Sequence, residues 1–423
     1  MAAGDVDGEV GEELIVGAPT DGQFEGGSTL HGYVYAVSAV EGGGPLDTSA
    51  VASFTGDSSY LDALGTSVSG GVDVDGDGYE DVAIGAPFAG NVVSGAVYVA
   101  YGPQSGESRI DLRADAFFLG DEGARAGTGV TLGDLDGDGT PDLGVGVTNL
   151  STYPMLPGEI LIFNDPHGAL ERGEASARIA GSEAQDGVGF SFASVGDVDG
   201  DGVEDAAVGA PGLQGGSGAA YLMLGPIVGD RSVDDADLTV TSSQPAANLG
   251  QIVAPAADLD EDGLPDLLIG AWQDSAFEKW AGKTYVVSGT LSGGYFSDDI
   301  PASVAGEMAY DMAGGALASL GDTDGDGHAE IAVGMKGNGY FSTSPGKVYV
   351  FSAPIRTPLD PAADSVAIVQ GENPGDGFGQ ALAPHDIDRD GVLDILVAAP
   401  FNADGGVWAG KVYLILGTAF LAE

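Results

Sequence analysis

One nine-residue pattern, Asp-x-Asp-x-Asp-Gly-x-x-Asp with small departures, recurs along the chain, beginning at Asp5, Asp73, Asp134, Asp197, Asp258, Asp322 and Asp386. The intervals lie between 61 and 68 residues and average 63.5, and each copy leads into an apolar run. This period constrains the fold more than any other feature. A unit of that size has too little interior to bury its own apolar faces and must stack on its neighbours. A length of 423 residues would otherwise suggest two or three unrelated domains. The repeat predicts one domain over 1-423 instead.

Within a period the order of signals is constant. In the second unit the acidic loop Asp73 to Asp81 runs into Val82-Ala-Ile-Gly-Ala-Pro87, then a Gly-rich connection, then Gly95-Ala-Val-Tyr-Val-Ala-Tyr101. A further apolar run surrounds Phe117-Phe-Leu119, and Thr128-Gly-Val-Thr-Leu132 leads into the next loop. Short β-branched and aromatic runs bounded by Gly and Pro read as strands, and no segment keeps a helical period. Each unit therefore has four strands, A to D, with the acidic loop between A and B. Solenoid repeats are usually far shorter, whereas a propeller stacks four-stranded blades radially and protects their edges. The expected fold is all-β, a seven-bladed β-propeller of four-stranded antiparallel blades. Only Met1 and Ala2-Ala-Gly4 precede the first loop, and seven residues follow Lys411-Val-Tyr-Leu-Ile-Leu416. The first and last blades are accordingly expected to be incomplete.

Charge narrows the partners. The chain has 65 Asp plus Glu against 13 Lys plus Arg, a formal net charge of -52. No basic stripe is available for a phosphate backbone, which excludes a nucleic-acid binder and disfavours anionic membranes. With no Cys there are no disulfides, thiolate metal sites or cysteine nucleophiles. The uncharged stretches 82-106 and 206-229 are interrupted by Gly, Pro and Ser at matching places, so no transmembrane segment is expected. The residues around Met1 lack a basic and an apolar region, so no signal peptide is expected within this chain.

The loops carry the chemistry. An isolated Asp-Gly-Asp-Gly reads as a hairpin turn. Four carboxylates within nine residues repel one another, however, and stay ionised most easily around a hard cation. Seven such loops, all with oxygen ligands, point to Ca²⁺ ahead of Mg²⁺ or Zn²⁺. The expected side-chain ligands at positions one, three, five and nine are Asp5, Asp7, Glu9 and Glu13; Asp73, Asp75, Asp77 and Asp81; Asp134, Asp136, Asp138 and Asp142. They continue with Asp197, Asp199, Asp201 and Asp205; Asp258, Asp260, Asp262 and Asp266; Asp322, Asp324, Asp326 and Glu330; and Asp386, Asp388, Asp390 and Asp394. Position seven is expected to add a backbone carbonyl, from Tyr79, Thr140, Val203, Leu264, His328 and Val392. The first loop departs most, with Glu9 for Asp and Val10 for Gly. An EF-hand needs a bidentate Glu at position twelve, yet Val16, Ile84, Val145, Val208, Ile269, Val333 and Val397 stand there. Position nine therefore closes the loop and starts a strand.

These loops, followed by Leu14-Ile-Val-Gly-Ala-Pro19, Val82-Ala-Ile-Gly-Ala-Pro87 and Ala206-Ala-Val-Gly-Ala-Pro211, with Phe378-Gly379 before the last, resemble FG-GAP repeats, the repeat of the integrin α-subunit propeller. The resemblance implies calcium loops on one face and partner contacts made by the B-to-C and D-to-A loops on the other. It departs at Gly144-Val-Gly146, Gly270-Ala-Trp272, Gly334-Met-Lys336 and Ala398-Ala-Pro400, and the Phe-Gly pair is complete once. It implies an adhesion or ligand-binding scaffold, and the weak calcium loops imply an extracellular or cell-surface location. The alternatives are a carbohydrate-active propeller, lectin or lyase or hydrolase, and a structural module of a larger assembly.

No catalytic motif stands out. His31, His167, His328 and His385 occupy unrelated repeat positions, and Gly282-Lys-Thr284 recurs as Gly346-Lys-Val and Gly410-Lys-Val, marking a strand start and not a phosphate loop. Large aromatics do interrupt the B-to-C connections: Phe24, Phe88, Tyr153, Trp272, Phe277, Trp280, Tyr340, Phe341, Phe401 and Trp408. Single rings of this kind usually pack between blades. As a set they suggest a surface for a protein or glycan ligand, with Trp280 in the longest connection as the first contact.

Overall fold

The computed structural model describes residues 1-9, 12-20, 31-38, 44-56, 62-90, 92-150, 155-337, 344-406 and 409-420. The fold is an all-β, seven-bladed propeller, with seven sheets in chain order. Packing divides the chain into two compact units, Met1–Ser194 with Gly225–Asp235, and Val195–Leu224 with Ala236–Glu423.

The second blade shows the plan of the first unit. Strand A, Ser67–Val72, strand B, Asp81–Ala86, strand C, Ala96–Ala100, and strand D, Ala116–Leu119, lie side by side and pair antiparallel. Strand B is buried along its whole length, and after Asp81 both of its faces are apolar or small. Its neighbour begins with Ala126–Gly133 and continues through Asp142–Val147 and Glu159–Phe163 to Ala177–Ala180. Val97, Val99 and Phe118 of one sheet meet Val130, Val145, Leu161 and Phe163 of the next in a common core. In the second unit Leu268 and Val286 meet Leu317, Ile331 and Tyr349 in the same manner.

Each of the first five blades gains a fifth strand that sequence reading does not anticipate. Gly106–Arg109 pairs parallel with Ala50–Thr55, Gly168–Leu170 with Ala116–Leu119, Gly229–Ser232 with Ala177–Ala180, Gly293–Phe296 with Leu238–Thr241, and Pro358–Leu359 with Ser303–Ala305. Each comes from the following repeat, so the chain laps back over the preceding blade. These segments are short and mostly exposed, which removes the apolar alternation that betrays a strand. The first blade has a three-residue inner strand, Ala2–Gly4, and the seventh has three strands among the described residues, Leu382–His385, Asp394–Ala399 and Lys411–Ile415.

Two glycines set the spacing between neighbouring blades. A Cβ on Gly85, near the end of strand B, would lie 2.2 Å from the carbonyl oxygen of Gly127, which opens the next blade with φ +82°. Gly270 and Gly314 repeat this at 2.1 Å. The glycine of Gly-Ala-Pro and that of Phe-Gly thus touch each other across the seam, backbone to backbone. The residue before the second glycine is Leu64, Ala126, Val188, Leu249, Ala313 or Phe378, and all six are buried. An incomplete Phe-Gly pair is therefore the same joint made with a smaller side chain.

Candidate functional site

The acidic loop is wound by its own carboxylates. In the second loop Asp73 Oδ1 accepts from the amides of Gly76 and Asp77 at 2.7 and 3.1 Å, and Oδ2 from Gly78 at 2.8 Å. Asp75 Oδ1 accepts from Asp77, and Asp77 Oδ1 from Tyr79. Gly78, at φ +96°, lets the chain turn back beneath them. The loops starting at Asp197 and Asp322 repeat these bonds.

Position nine behaves differently. Asp81 is fully buried at the start of strand B, where Oδ2 accepts from Val74 at 2.7 Å and Oδ1 from Gly102 at 2.8 Å. Ligand atoms of positions one, three and nine lie within 4.8 Å of one another in Asp5, Asp7 and Glu13; Asp73, Asp75 and Asp81; Asp134, Asp136 and Asp142; and Asp197, Asp199 and Asp205. In the fifth loop Asp258, Asp260 and Asp262 form such a group. Position five more often faces outward. Asp138 Oδ1, for example, takes the amide and hydroxyl of Thr140 and stays exposed. In the sixth loop Glu330 replaces Asp, and its Oε2 accepts from the amide and hydroxyl of Thr323, both at 2.8 Å. In the seventh, Asp394 accepts from Ile387 and Gly417. Glu9 is exposed, while Val10 and Gly11 of the first loop lie outside the described residues.

Burying an acid among acids has an electrostatic cost. Burial, followed by repulsion from Asp136, pushes the Asp142 carboxyl up to about 7. Burial likewise raises Glu13 and Asp266 to about 7 and Asp81 to about 6. Among the described residues, Asp142 Oδ1 and Glu330 Oε1 are buried and have no hydrogen-bond donor. An unpaired buried carboxylate oxygen beside two further carboxylates fits a hard divalent cation, which supplies positive charge where no N-H reaches.

The B-to-C loops lie at the other end of each sheet. Phe88, Phe277 and Phe401 are exposed there, Phe277 most at 67%. Arg125 lies 5.2 Å from the Phe88 ring. Trp272 and Trp280 are partly buried. Trp280 sits at φ +53° and packs edge-on against Tyr310 at 5.7 Å, so Phe277 and not Trp280 is the most accessible ring of the longest connection. Phe24, Tyr153, Tyr340, Phe341 and Trp408 lie outside the described residues.

Sequence reading missed a buried Asp three residues before the blade-opening glycine. Asp186 accepts from Gly158 and Val188, and Asp376 from the amide of Asn373 and from Asn402 Nδ2. Asp62 and Asp311 occupy the same place. The spacing Asp-x-x-Gly was the available signal; these residues tie the D-to-A loop to its neighbours.

The family model described as FG-GAP repeat matches residues 64–100, 189–223, 313–351 and 378–415. Among curated proteins the chain is 32% identical to human integrin alpha-IIb over 152 residues, 34% of this chain and 14% of that protein. It is 30% identical to Drosophila melanogaster integrin alpha-PS2 over 214 residues, covering 47% and 14%. With Xenopus laevis integrin alpha-5 it shares 32% over 231 residues, covering 51% and 20%. The chain thus spans a fifth or less of the relatives' own lengths. Acidic loops, the glycine joint and the matched repeats together show that the chain carries FG-GAP repeats in a β-propeller similar to that of integrin α subunits.

Proposed function

We propose that residues 1-423 act as one calcium-dependent propeller domain, a non-catalytic scaffold for adhesion or ligand binding that works outside the cell. Calcium would be held at up to seven loops by positions one, three, five and nine, with the carbonyl of position seven completing the set. The convergence of Asp134, Asp136 and Asp142, with one oxygen of Asp142 buried and without a hydrogen-bond partner among the described residues, is the observation that carries this reading. The cation would offset the repulsion that burial imposes and lock strand A to strand B. Weak sites of this kind, on the order of 10⁻⁴ to 10⁻³ M, fill where calcium is abundant, which is why an extracellular setting suits them.

The partner would meet the B-to-C loops. Phe277 and Phe401, exposed and apolar at the end away from the acidic loops, support that assignment. Calorimetric titration of metal-depleted protein with Ca²⁺ tests the first half. Several equivalents of binding, and a melt that rises with calcium and falls with excess chelator, are expected; a melt indifferent to both removes the proposal. Loss of ligand capture in Phe277→Ala and Phe401→Ala with an unchanged melt tests the second half.

A further inference from the structure

All five lysines of this chain stand at one end of three consecutive blades. Lys279 lies in the B-to-C loop of the fifth blade, and Lys283 opens its strand C, Lys283–Ser288. Lys336 follows strand B of the sixth blade, Glu330–Met335, and Lys347 and Lys411 open strands C of the sixth and seventh. Each ammonium rests over a ring. Lys279 Nζ is 5.4 Å from the centroids of both Trp280 and Tyr310, Lys283 4.7 Å from Tyr285, and Lys336 5.0 Å from Trp272. Lys347 and Lys411 sit over Tyr349 and Tyr413 at 5.3 and 4.9 Å.

The five differ in their counter-ions. Lys347 bonds Glu307 at 2.8 Å, and Lys411 bonds Glu372 and Asp404 at 2.9 and 3.0 Å. Lys279, Lys283 and Lys336 have no ion-pair partner among the described residues, in a chain with five acids for every base. The stretch 338-343 that follows Lys336 contains no Asp or Glu. Trp272 Nε1 is buried and has no acceptor among the described residues. Trp272 and Lys336 occupy the same repeat position in adjacent blades, the place of Pro in Gly-Ala-Pro, so substitution of that proline in both blades creates the pair. Burial lowers the Lys336 pKa.

We propose that Lys279, Lys283 and Lys336, held on Trp280, Tyr285 and Trp272 respectively, form a docking surface for an acidic segment of a protein partner. The inference rests on the reading that the B-to-C end meets ligands and specifies their chemistry. Rings beneath the ammonium groups hold them in place and reduce the freedom lost when a carboxylate arrives. The charge pattern selects its partner: the acidic loops at the far end repel the same segment, which sets its orientation. An acidic glycan fits less well, because the lysines already occupy ring faces on which a pyranose would stack.

A fluorescein-labelled hexaglutamate, added to the full chain in saturating free calcium, tests this by anisotropy. Binding is expected to exceed that of hexaglutamine severalfold, to weaken with salt, and to be lost in the triple variant Lys279→Met, Lys283→Met, Lys336→Met while the calcium-dependent melt is kept. If the triple variant folds poorly, Lys279→Met alone, at an exposed position, should still weaken binding, whereas Lys411→Met should not. Equal binding of both peptides, or an equal loss in Lys411→Met, overturns the proposal. So does oligogalacturonate binding without hexaglutamate binding, or self-association abolished by the triple variant in the absence of peptide binding. An intact calcium titration beside a failed peptide assay would discard only this inference, while failure of both would discard the scaffold reading.

Discussion

The two ends of each blade obey different rules. At the A-to-B end the loops keep one backbone design: Asp73, Asp197 and Asp322 accept corresponding amides, and Asp81, Asp205 and Glu330 each fold back onto the residue after the first Asp. At the B-to-C end length and composition vary freely, and Phe88, Leu213, Trp272 and Lys336 stand near equivalent turns. Shared backbone geometry at one end would make ion binding repeatable under the proposed function, while variation at the other would let individual blades acquire separate contacts.

Calcium removal should separate the ends most sharply. At 10 mM calcium, sites in the expected affinity range each contribute about 1.4 to 2.7 kcal/mol. A melt in chelator should therefore fall steeply, with amide exchange rising first in the acidic loops; equal exchange at both ends would break the contrast. Next, Gly85→Ala should lower stability by about 1–3 kcal/mol, since its Cβ has no space against Gly127. This loss, read by denaturant titration, should appear with or without calcium, because the seam is backbone packing.

Asp142→Asn sharpens the comparison by changing sign. With calcium the variant should be less stable than the parent, through loss of a ligand charge. In chelator it should be more stable by about 1 kcal/mol, since a buried repelled charge is gone. Differential scanning in both buffers reads this directly. The metal-free parent should also lose stability as pH rises from about 4 to 7. Glu13, Asp142 and Asp266 titrate near 7 when folded, above their unfolded values, so the folded state holds extra protons in that window. Above pH 7 the dependence should flatten, and calcium should suppress it. The smallest effect is expected from Phe277→Ala, which should move the melt by no more than about 0.5 kcal/mol because the ring is exposed.

Much of this was legible in the residues. Asp at fixed offsets gave the loops, the period gave the blade number, and β-branched residues at position twelve gave the start of strand B. Position nine as the buried member was not legible, because Asp77 and Asp81 are the same residue type and only the start of strand B removes one from water. The lapping strands, such as Gly106–Arg109, were hidden because pairing there is made by backbone and carries little apolar pattern. The joint at Ala126-Gly127 escaped a search for Phe-Gly because the conformation belongs to the glycine and the preceding side chain needs only to be apolar.

By itself the sequence determined a repeated sheet with an acidic turn, since period, turn chemistry and strand propensity are local quantities that a chain carries in its order. Tertiary structure decided which carboxylate loses its water, which lysines have no ion pair among the described residues and which rings hold them. These depend on what a neighbouring blade places within a few ångströms, and residues 60 positions apart in sequence meet only once the sheets have packed.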